Sequence, residues 1–339
     1  MFLPTQFLVT GGTGFIGRYV VRRLLSRGAT VRVFCRTPEK AQRLFGNHVV
    51  IARGDLRNRG SVARAMKGCD AVIHLGATFQ FGRKTRRLNE ETNISGTKYL
   101  LEAAGRNGVR RFVHVSSCGV LEGKEELLTE RDFPVHVARQ ESYRRSKWLA
   151  EKLALEAARH GLPVTIASPT SPLGTGDEAP TPTGRIVRDY LRSRFPFGAR
   201  VGLNFIHVTD LADGILAVAE RGRTGERYLL GHHNVWLDEF LQLLARLTQR
   251  QAPRFSLPQS LIRLAGAVGE ALGSEWVCLE TAAHARRQQW FDFSKAAREL
   301  GWCARKPLET TALDSIRWFQ GMLLSNPALI LTESNITAS

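Results

Sequence analysis

With 339 residues, 43% of them hydrophobic, the chain is long enough to build one large or two closely packed units around a substantial core. No run reaches the ~18 apolar residues of a membrane span, and Met1-Phe2-Leu3-Pro4 is no signal-peptide pattern, so neither a spanning segment nor a leader is expected. The net charge of +17 is lopsided, with 21 Lys and Arg against 6 Asp and Glu in residues 1–120, yet these are scattered without a nucleic-acid-binding pattern.

Such a field steers an anionic, phosphate-bearing cofactor or meets an anionic membrane surface equally well, and nucleic acid is not expected as a partner. The five cysteines (Cys35, Cys69, Cys118, Cys278, Cys303) show no C-x-x-C spacing, which fits reduced thiols in the cytoplasm. The histidines lack ligand spacing, His232-His233 included, and no metal site is expected.

Phe7-Leu8-Val9 predicts a first strand over 6–10, and Tyr19-Val20-Val21-Arg22-Arg23-Leu24-Leu25 an amphipathic helix over 15–27. Between them lies Thr10-Gly11-Gly12-Thr13-Gly14-Phe15-Ile16-Gly17. Strand, glycine-rich turn and helix is the context a dinucleotide pyrophosphate requires. Gly11 permits the tight turn, Gly14 lets the backbone approach the phosphates, and Gly17 lets helix and strand pack closely, while the helix N-terminus offers free N–H groups to the anion.

A second strand over 30–35 ends in Cys35-Arg36. A carboxylate there would accept the ribose 2′-hydroxyl and repel a 2′-phosphate, whereas Arg36 pairs with a phosphate. NADP(H) is therefore favoured over NAD(H), with a solvated turn residue as the competing reading of Arg36. Further strands fall at 48–52, 70–75, 111–116 and 163–168, with helices near 38–45, 60–67, 90–106 and 142–160. This alternation predicts an α/β, doubly wound, Rossmann-type parallel sheet whose ligands bind beyond the strand C-termini.

From residue 169 the rhythm breaks. Pro, Gly and Thr cluster over 169–176 and 180–184, which reads as a long, partly ordered loop of the kind that builds substrate sites. Short strands at 205–208 and 227–230 and helices near 210–220, 236–249, 258–272 and 309–322 follow. The domain reading is 1–168 as the dinucleotide-binding unit, 169–325 as a smaller, mainly helical substrate lobe with some segments returning to the first unit, and 326–339 as a fraying tail. Helix 258–272 carries Leu261, Ile262, Leu264, Val268 and Leu272 on one face, a core stripe or an interface, so a weak peripheral membrane contact stays open.

Tyr143-Arg144-Arg145-Ser146-Lys147 opens the 142–160 helix, and positions i and i+4 share a face. A free tyrosine has a pKa of about 10, and a nearby ammonium favours the phenolate, which suits proton exchange with an oxygen beside a nicotinamide. Alone, such a pair reads as an exposed Tyr and Lys. The preceding strand, however, ends in Ser116-Ser117, where a hydroxyl would emerge at the sheet's C-terminal edge, and Ser117 is the candidate for holding a substrate oxygen. Asn93, in the helix after strand four, is a surface residue or the support of a water relay to Lys147.

In combination these stretches resemble the extended short-chain dehydrogenase/reductase family, within the NAD-dependent epimerase/dehydratase superfamily. The matching motifs are the glycine run, Gly54-Asp55-Leu56, Asn93-x-x-Gly96-Thr97, Ser116-Ser117, Tyr143-x-x-x-Lys147, the Pro169 loop and Phe205-Ile206-His207-Val208-x-Asp210. Pro180–Ile186 and Gly225–Gly231 carry a closer similarity to its dihydroflavonol-reductase-like branch, which includes hopanoid-associated sugar epimerases. The resemblance implies that Ser117, Tyr143 and Lys147 are catalytic with Asn93 in support, that Lys147 also binds the nicotinamide ribose, and that Asp55 lies against the adenine. The cofactor site it implies comprises Gly11, Thr13, Gly14, Phe15, Ile16, Gly17, Arg36, Asp55, Leu56, Gly76, Ala77, Ser116, Tyr143, Lys147, Pro169 and Thr170. A homodimer packing helices near 90–106 and 142–160 is also implied.

Sugar dehydratases of this family carry Thr-Asp-Glu where this chain has Ser117-Cys118-Gly119, so dehydration is not expected. Cys118 reads as a small buried residue rather than an epimerase base. His207 and Asp210 read as structural, and Arg185 as a contact to an anionic substrate group or as surface charge. The expected activity is an NADP(H)-dependent interconversion of a carbonyl and a secondary alcohol, on a partly apolar small molecule covered by Thr78, Phe79, Gln80, Phe81 and Gly82 and by helix 258–272. The alternatives are a sugar or nucleotide-sugar epimerase with tightly held NAD(P), and a non-catalytic dinucleotide sensor or membrane-surface protein. Loops at 78–90, 122–140 and 170–200 would set the substrate.

Overall fold

The computed structural model describes residues 6–79, 85–123, 127–138, 141–192, 197–198, 200–253, 255–256, 259–271 and 290–325. Strands β1 (Gln6–Thr10), β2 (Thr30–Cys35) and β3 (Val50–Arg53) alternate with helices α1 (Phe15–Ser26), α2 (Pro38–Phe45) and α3 (Arg59–Met66). After β4 (Ala71–His74) come α4 (Arg86–Asn89), a π-helical turn Glu90–Ser95 and α5 (Gly96–Arg106), joined without a break in helical backbone. Then follow β5 (Arg111–Val115), the short β6 (Leu127–Leu128), α6 (Ser142–Arg159) and β7 (Val164–Pro169).

The next elements are β8 (Ser171–Leu173), α7 (Pro182–Leu191), β9 (Phe197–Gly198), β10 (Gly202–His207), α8 (Val208–Arg221), β11 (Arg227–Leu230) and β12 (His233–Trp236). The described chain ends with α9 (Leu237–Thr248), β13 (Phe255–Ser256), α10 (Gln259–Ala271), β14 (Trp290–Phe291), α11 (Ser294–Leu300) and α12 (Leu308–Ser325).

The main sheet has seven parallel strands in the order β3-β2-β1-β4-β5-β7-β11. Strand order reverses between β1 and β4, which opens a crevice at their C-terminal ends. Successive strand side chains alternate between faces, as the pleat requires. Phe7 and Val9 join a core with α1 and α8, while Leu8 joins one with α3, α5 and α6. Both faces are covered, which is why these strands read as unbroken apolar runs.

The C-terminal part is helical around a second, three-stranded sheet, β12-β10-β8. Its core packs Phe205 on Phe240 with ring centroids 4.3 Å apart, among side chains of α7, α9 and α12. The expectation of a long loop through 180–184 is corrected here: Pro182–Leu191 is a helix. Thr181 caps it, its hydroxyl accepting from Gly184 N at 3.1 Å, and Pro182 occupies the first turn. The Pro/Gly/Thr cluster was a helix-start signal as well as a loop signal.

Among the described residues no helix is long and apolar enough to cross a membrane. α10 exposes Leu261, Leu264 and Val268 on one side. The side chain of Ile262 lies outside the described residues, as do Leu272, Cys278, Gln80, Phe81, Gly82 and the 326–339 tail.

Candidate active site

The glycine turn folds as its spacing predicts. Gly11 adopts φ +69, a conformation that favours glycine, and Gly14 N donates to Gly11 O at 2.9 Å. A Cβ on Gly11 would lie 2.7 Å from Gly76 N, and one on Gly17 would run into the Gly11 carbonyl. The ends of β1 and β4 are thus pressed together, with α1 seated directly on the turn. No side chain caps α1 at the exposed Gly14, so the first-turn N–H groups stay available to an anion, flanked by half-buried Thr13, Phe15 and Ile16. This cradle fits a pyrophosphate.

Arg36 is exposed at the end of β2 and has no hydrogen bond or ion pair to any described residue. The nearby Asp55 carboxylate is held by Arg57, whose Nε donates to Oδ1 at 3.1 Å and Nη2 to Oδ2 at 2.7 Å. That bond, reinforced by the charge of Arg36, holds Asp55 below the ordinary carboxylate range. Leu56 fills the space beside Gly76 and Gly96, where a Cβ would meet it at 2.9 Å. Arg18, buried in α1, and Lys40 of α2 both pair with Glu178 at 2.8 Å, and Tyr19 Oη donates to Thr175 O at 2.9 Å. The segment after β8 is therefore tied down across α1.

Tyr143, Lys147 and Glu151 fall on one face of α6. Lys147 is buried, and its Nζ donates to Val115 O at 2.7 Å, at the C-terminal end of β5 and two residues before Ser117. Burial pulls the ammonium down to about 8, and the Glu151 charge offsets this in part. Ser117 starts a short 3-10 turn, its Oγ accepting from Gly119 N at 3.1 Å. A hydroxyl that accepts a backbone N–H keeps its own proton to give. One helical turn before Lys147, Tyr143 packs edge-on against Phe79 from the segment after β4, with centroids 4.2 Å apart. Lys147 is thus anchored at the end of β5, two residues before Ser117, and Tyr143 lies one helical turn earlier on the same face of α6.

Other anticipated positions are taken up by the scaffold. The Ser116 hydroxyl donates to Glu151, which is fully buried and paired with Arg227, and Ser116 N donates to Ala167 O at 2.7 Å. The Thr78 hydroxyl donates to Asn89 Oδ1 at 2.9 Å. Pro169 ends β7, and Thr170 is buried, its N donating to Leu230 O at 3.0 Å. Ala77 is half-buried after β4, and Arg185 Nε donates to Pro180 O at 3.1 Å. His207 caps α8, accepting from Thr209 N at 3.2 Å, and Asp210 Oδ2 accepts from Arg305 N and Lys306 N at 2.8 Å. Cys118 is buried, which pushes its thiol up to about 12.

Asn93 is buried in the π-helical turn and is not a surface residue. Its Oδ1 accepts from Thr78 N at 2.8 Å, and its Nδ2 donates to Thr78 O at 3.0 Å and Ser146 Oγ at 2.9 Å. From Thr78 it therefore reaches the catalytic-helix candidate α6. A second buried chain runs beneath. Gly76 N donates to Thr10 Oγ1 at 3.0 Å, Thr10 Oγ1 and His74 Nδ1 lie 2.7 Å apart, His74 Nε2 and Thr97 Oγ1 2.9 Å, and Thr97 Oγ1 donates to Asn93 O at 2.6 Å.

Sequence reasoning missed His74, Arg57, Glu151 and Arg144 as members of this assembly. Glu151 had a signal, since it extends the Tyr143 and Lys147 face by one more turn. Thr10 and His74 are aligned partners in the β1–β4 register, which only strand order reveals.

Comparison with known proteins gives a consistent picture. The model of the NAD dependent epimerase/dehydratase family matches residues 7–231. A putative dihydroflavonol 4-reductase of Synechocystis sp. is 34% identical over 325 residues, covering 93% of this chain and 94% of that protein. A 4-hydroxy-2-methyl-3-oxo-4-farnesyl-3,4-dihydroquinoline-1-oxide ketoreductase of Stigmatella aurantiaca is 31% identical over 321 residues, covering 91% and 95%. The crystal structure of a nucleoside-diphosphate-sugar epimerase from Pseudomonas aeruginosa superposes with a TM-score of 0.79 at 26% identity, covering 94% of this chain and 98% of that one.

Proposed function

Because this chain belongs to the NAD dependent epimerase/dehydratase family, we propose that it is an NADP(H)-dependent oxidoreductase that interconverts a carbonyl and a secondary alcohol on a partly apolar small molecule. The observation that carries this reading is the Lys147–Val115 bond, which sets the Tyr143 and Lys147 face of α6 against the strand end that bears Ser117.

The bound nicotinamide would supply or accept a hydride. Ser117 would hold the substrate oxygen with a hydrogen bond from its hydroxyl, keeping its own proton, because its Oγ already accepts from Gly119 N. Tyr143 would give a proton to the same oxygen in reduction and take one in oxidation. Lys147 would supply the positive charge that favours a phenolate and would bind the ribose. The Phe79 ring against Tyr143 makes the mouth of this site aromatic, which favours an apolar group next to the reacting carbonyl. The uncommitted Arg36 supports NADP(H) over NAD(H), since a 2′-phosphate there displaces no existing ion pair.

The test is an NADPH-oxidation screen at 340 nm against ketones, aldehydes and nucleotide sugars. Consumption stoichiometric with a ketone is expected, and Tyr143→Phe should abolish turnover while retaining cofactor binding. A Tyr143→Phe protein that turns over normally removes the mechanism.

The similarity to a sugar epimerase favours a second reading, epimerisation with the cofactor recycled in each turnover. Such an enzyme would show no net absorbance change and would purify with cofactor bound. Cys118 does not serve as its base, because the buried thiol stays protonated at ordinary pH.

A further inference from the structure

α6 grips the chain on both sides of Ser117. Upstream, Lys147 holds the Val115 carbonyl and Glu151 takes the Ser116 hydroxyl. Downstream, Arg144 holds the turn that follows. Its Nε donates to Gly119 O at 2.8 Å, and Nη2 donates to Glu122 Oε2 at 2.5 Å and, at longer range, to Val120 O at 3.4 Å and Leu121 O at 3.5 Å. Nη1 donates to Glu141 Oε2 at 3.1 Å. The Arg144 side chain is 1% exposed, so a full cation is buried to make these contacts.

The peptide of Gly119 links this grip to chemistry. Its carbonyl takes Arg144 Nε, and its N–H donates to Ser117 Oγ. We propose that Arg144 is a positioning residue, a buried clamp that acts through Gly119 to aim the Ser117 hydroxyl and to fix its distance from Tyr143, the adjacent residue on α6. This rests on the reading of Ser117 as the group that binds the substrate oxygen. Arginine suits the task because its planar fork reaches several acceptors at once, whereas lysine offers a single ammonium point. The half-exposed Glu122 and the buried Glu141 balance its charge from either side.

The test compares Arg144→Met, Arg144→Lys, Glu122→Gln and Ser117→Ala, alone and in combination. Arg144→Met should lower kcat about 10- to 100-fold, the scale of a mis-set catalytic donor, with NADPH affinity unchanged within about twofold. Arg144→Lys should recover part of the loss. In a Ser117→Ala background Arg144→Met should have no further effect on kcat, because the clamp acts through that hydroxyl.

If Ser117→Ala lowers kcat but Arg144→Met does not, or if the two losses add in full, the proposal is overturned. Should Ser117→Ala itself leave kcat unchanged, or no carbonyl substrate be found, the reading of Ser117 fails by itself. The clamp is then judged by the alkylation rate of Cys118, the residue between Ser117 and Gly119, followed by peptide mapping. A rate at least about tenfold faster in Arg144→Met supports a clamp released from this turn, and an unchanged rate overturns it. If Arg144→Met does not fold, Arg144→Lys and Glu122→Gln are read by the same criteria with smaller effects, and no change in either overturns it.

Discussion

His74 and Thr97 share a 2.9 Å hydrogen bond in the core, and the direction of that bond is settled by its neighbours. Thr97 gives its single proton to Asn93 O, so it must accept from His74 Nε2–H. Nδ1 is then the acceptor for Thr10 Oγ1, which in turn accepts from Gly76 N. Every member is satisfied in one sense only, and the chain connects the glycine turn to the helix that carries Asn93.

Thr97→Val should leave the buried His74 N–H without a partner and cost about 1–3 kcal/mol. Thr97→Ser, which keeps the hydroxyl, should cost less. Urea unfolding of both variants checks this, and a valine variant as stable as the parent would show that His74 Nε2 does not depend on the Thr97 hydroxyl.

His74 and His114 should make the fold acid-sensitive. Burial lowers His74 to about 3 and His114 well below its usual value, so both stay neutral in the folded protein. The unfolded chain binds these protons first, and stability is lost as pH falls below about 6.5, by up to about 1.4 kcal/mol per pH unit for each group. Urea midpoints measured from pH 7 to 4.5 should fall steeply. His114→Phe should make the fall shallower, and an unchanged slope would contradict the assignment.

Lys147 acts in the opposite window. Its folded value of about 8 lies below an unfolded value of about 10.5. Between these the unfolded chain holds the extra proton, so stability gains as pH rises from about 8 to 10.5. Lys147→Met should lose that gain relative to the parent. The ammonium is also required by the proposed chemistry, so kcat should decline above about pH 8. A rate constant through pH 9.5 would argue against a protonated Lys147 in turnover.

Arg36→Ser should weaken NADPH binding about 10- to 100-fold, the loss of a charge-assisted contact, and leave NADH binding nearly unchanged. Fluorescence titration of both cofactors decides it. Equal effects on the two would assign Arg36 to general electrostatics, and the NADPH effect should shrink with added salt.

Much of this molecule was written locally. The glycine turn, the helix over 38–45 and the strands over 6–10, 30–35 and 227–230 depend on near-neighbour geometry and hydrophobic period, so they were legible along the chain. The Tyr143 and Lys147 spacing was legible for the same reason. Where local signals overlapped they misled: the residues after Pro180 spell both a loop and a helix start, and packing of α7 against α12 and β8 selects the helix. Strand order was beyond local reach, because β11 joins β7 only once the intervening C-terminal elements have been passed. The partnerships that depend on that order were hidden with it: Thr10 with His74, Glu151 with Arg227, and Arg144 with the turn after Ser117. A polar side chain in a sequence carries no mark of burial; only the folded interior, by removing water, obliges each of these groups to find a particular partner.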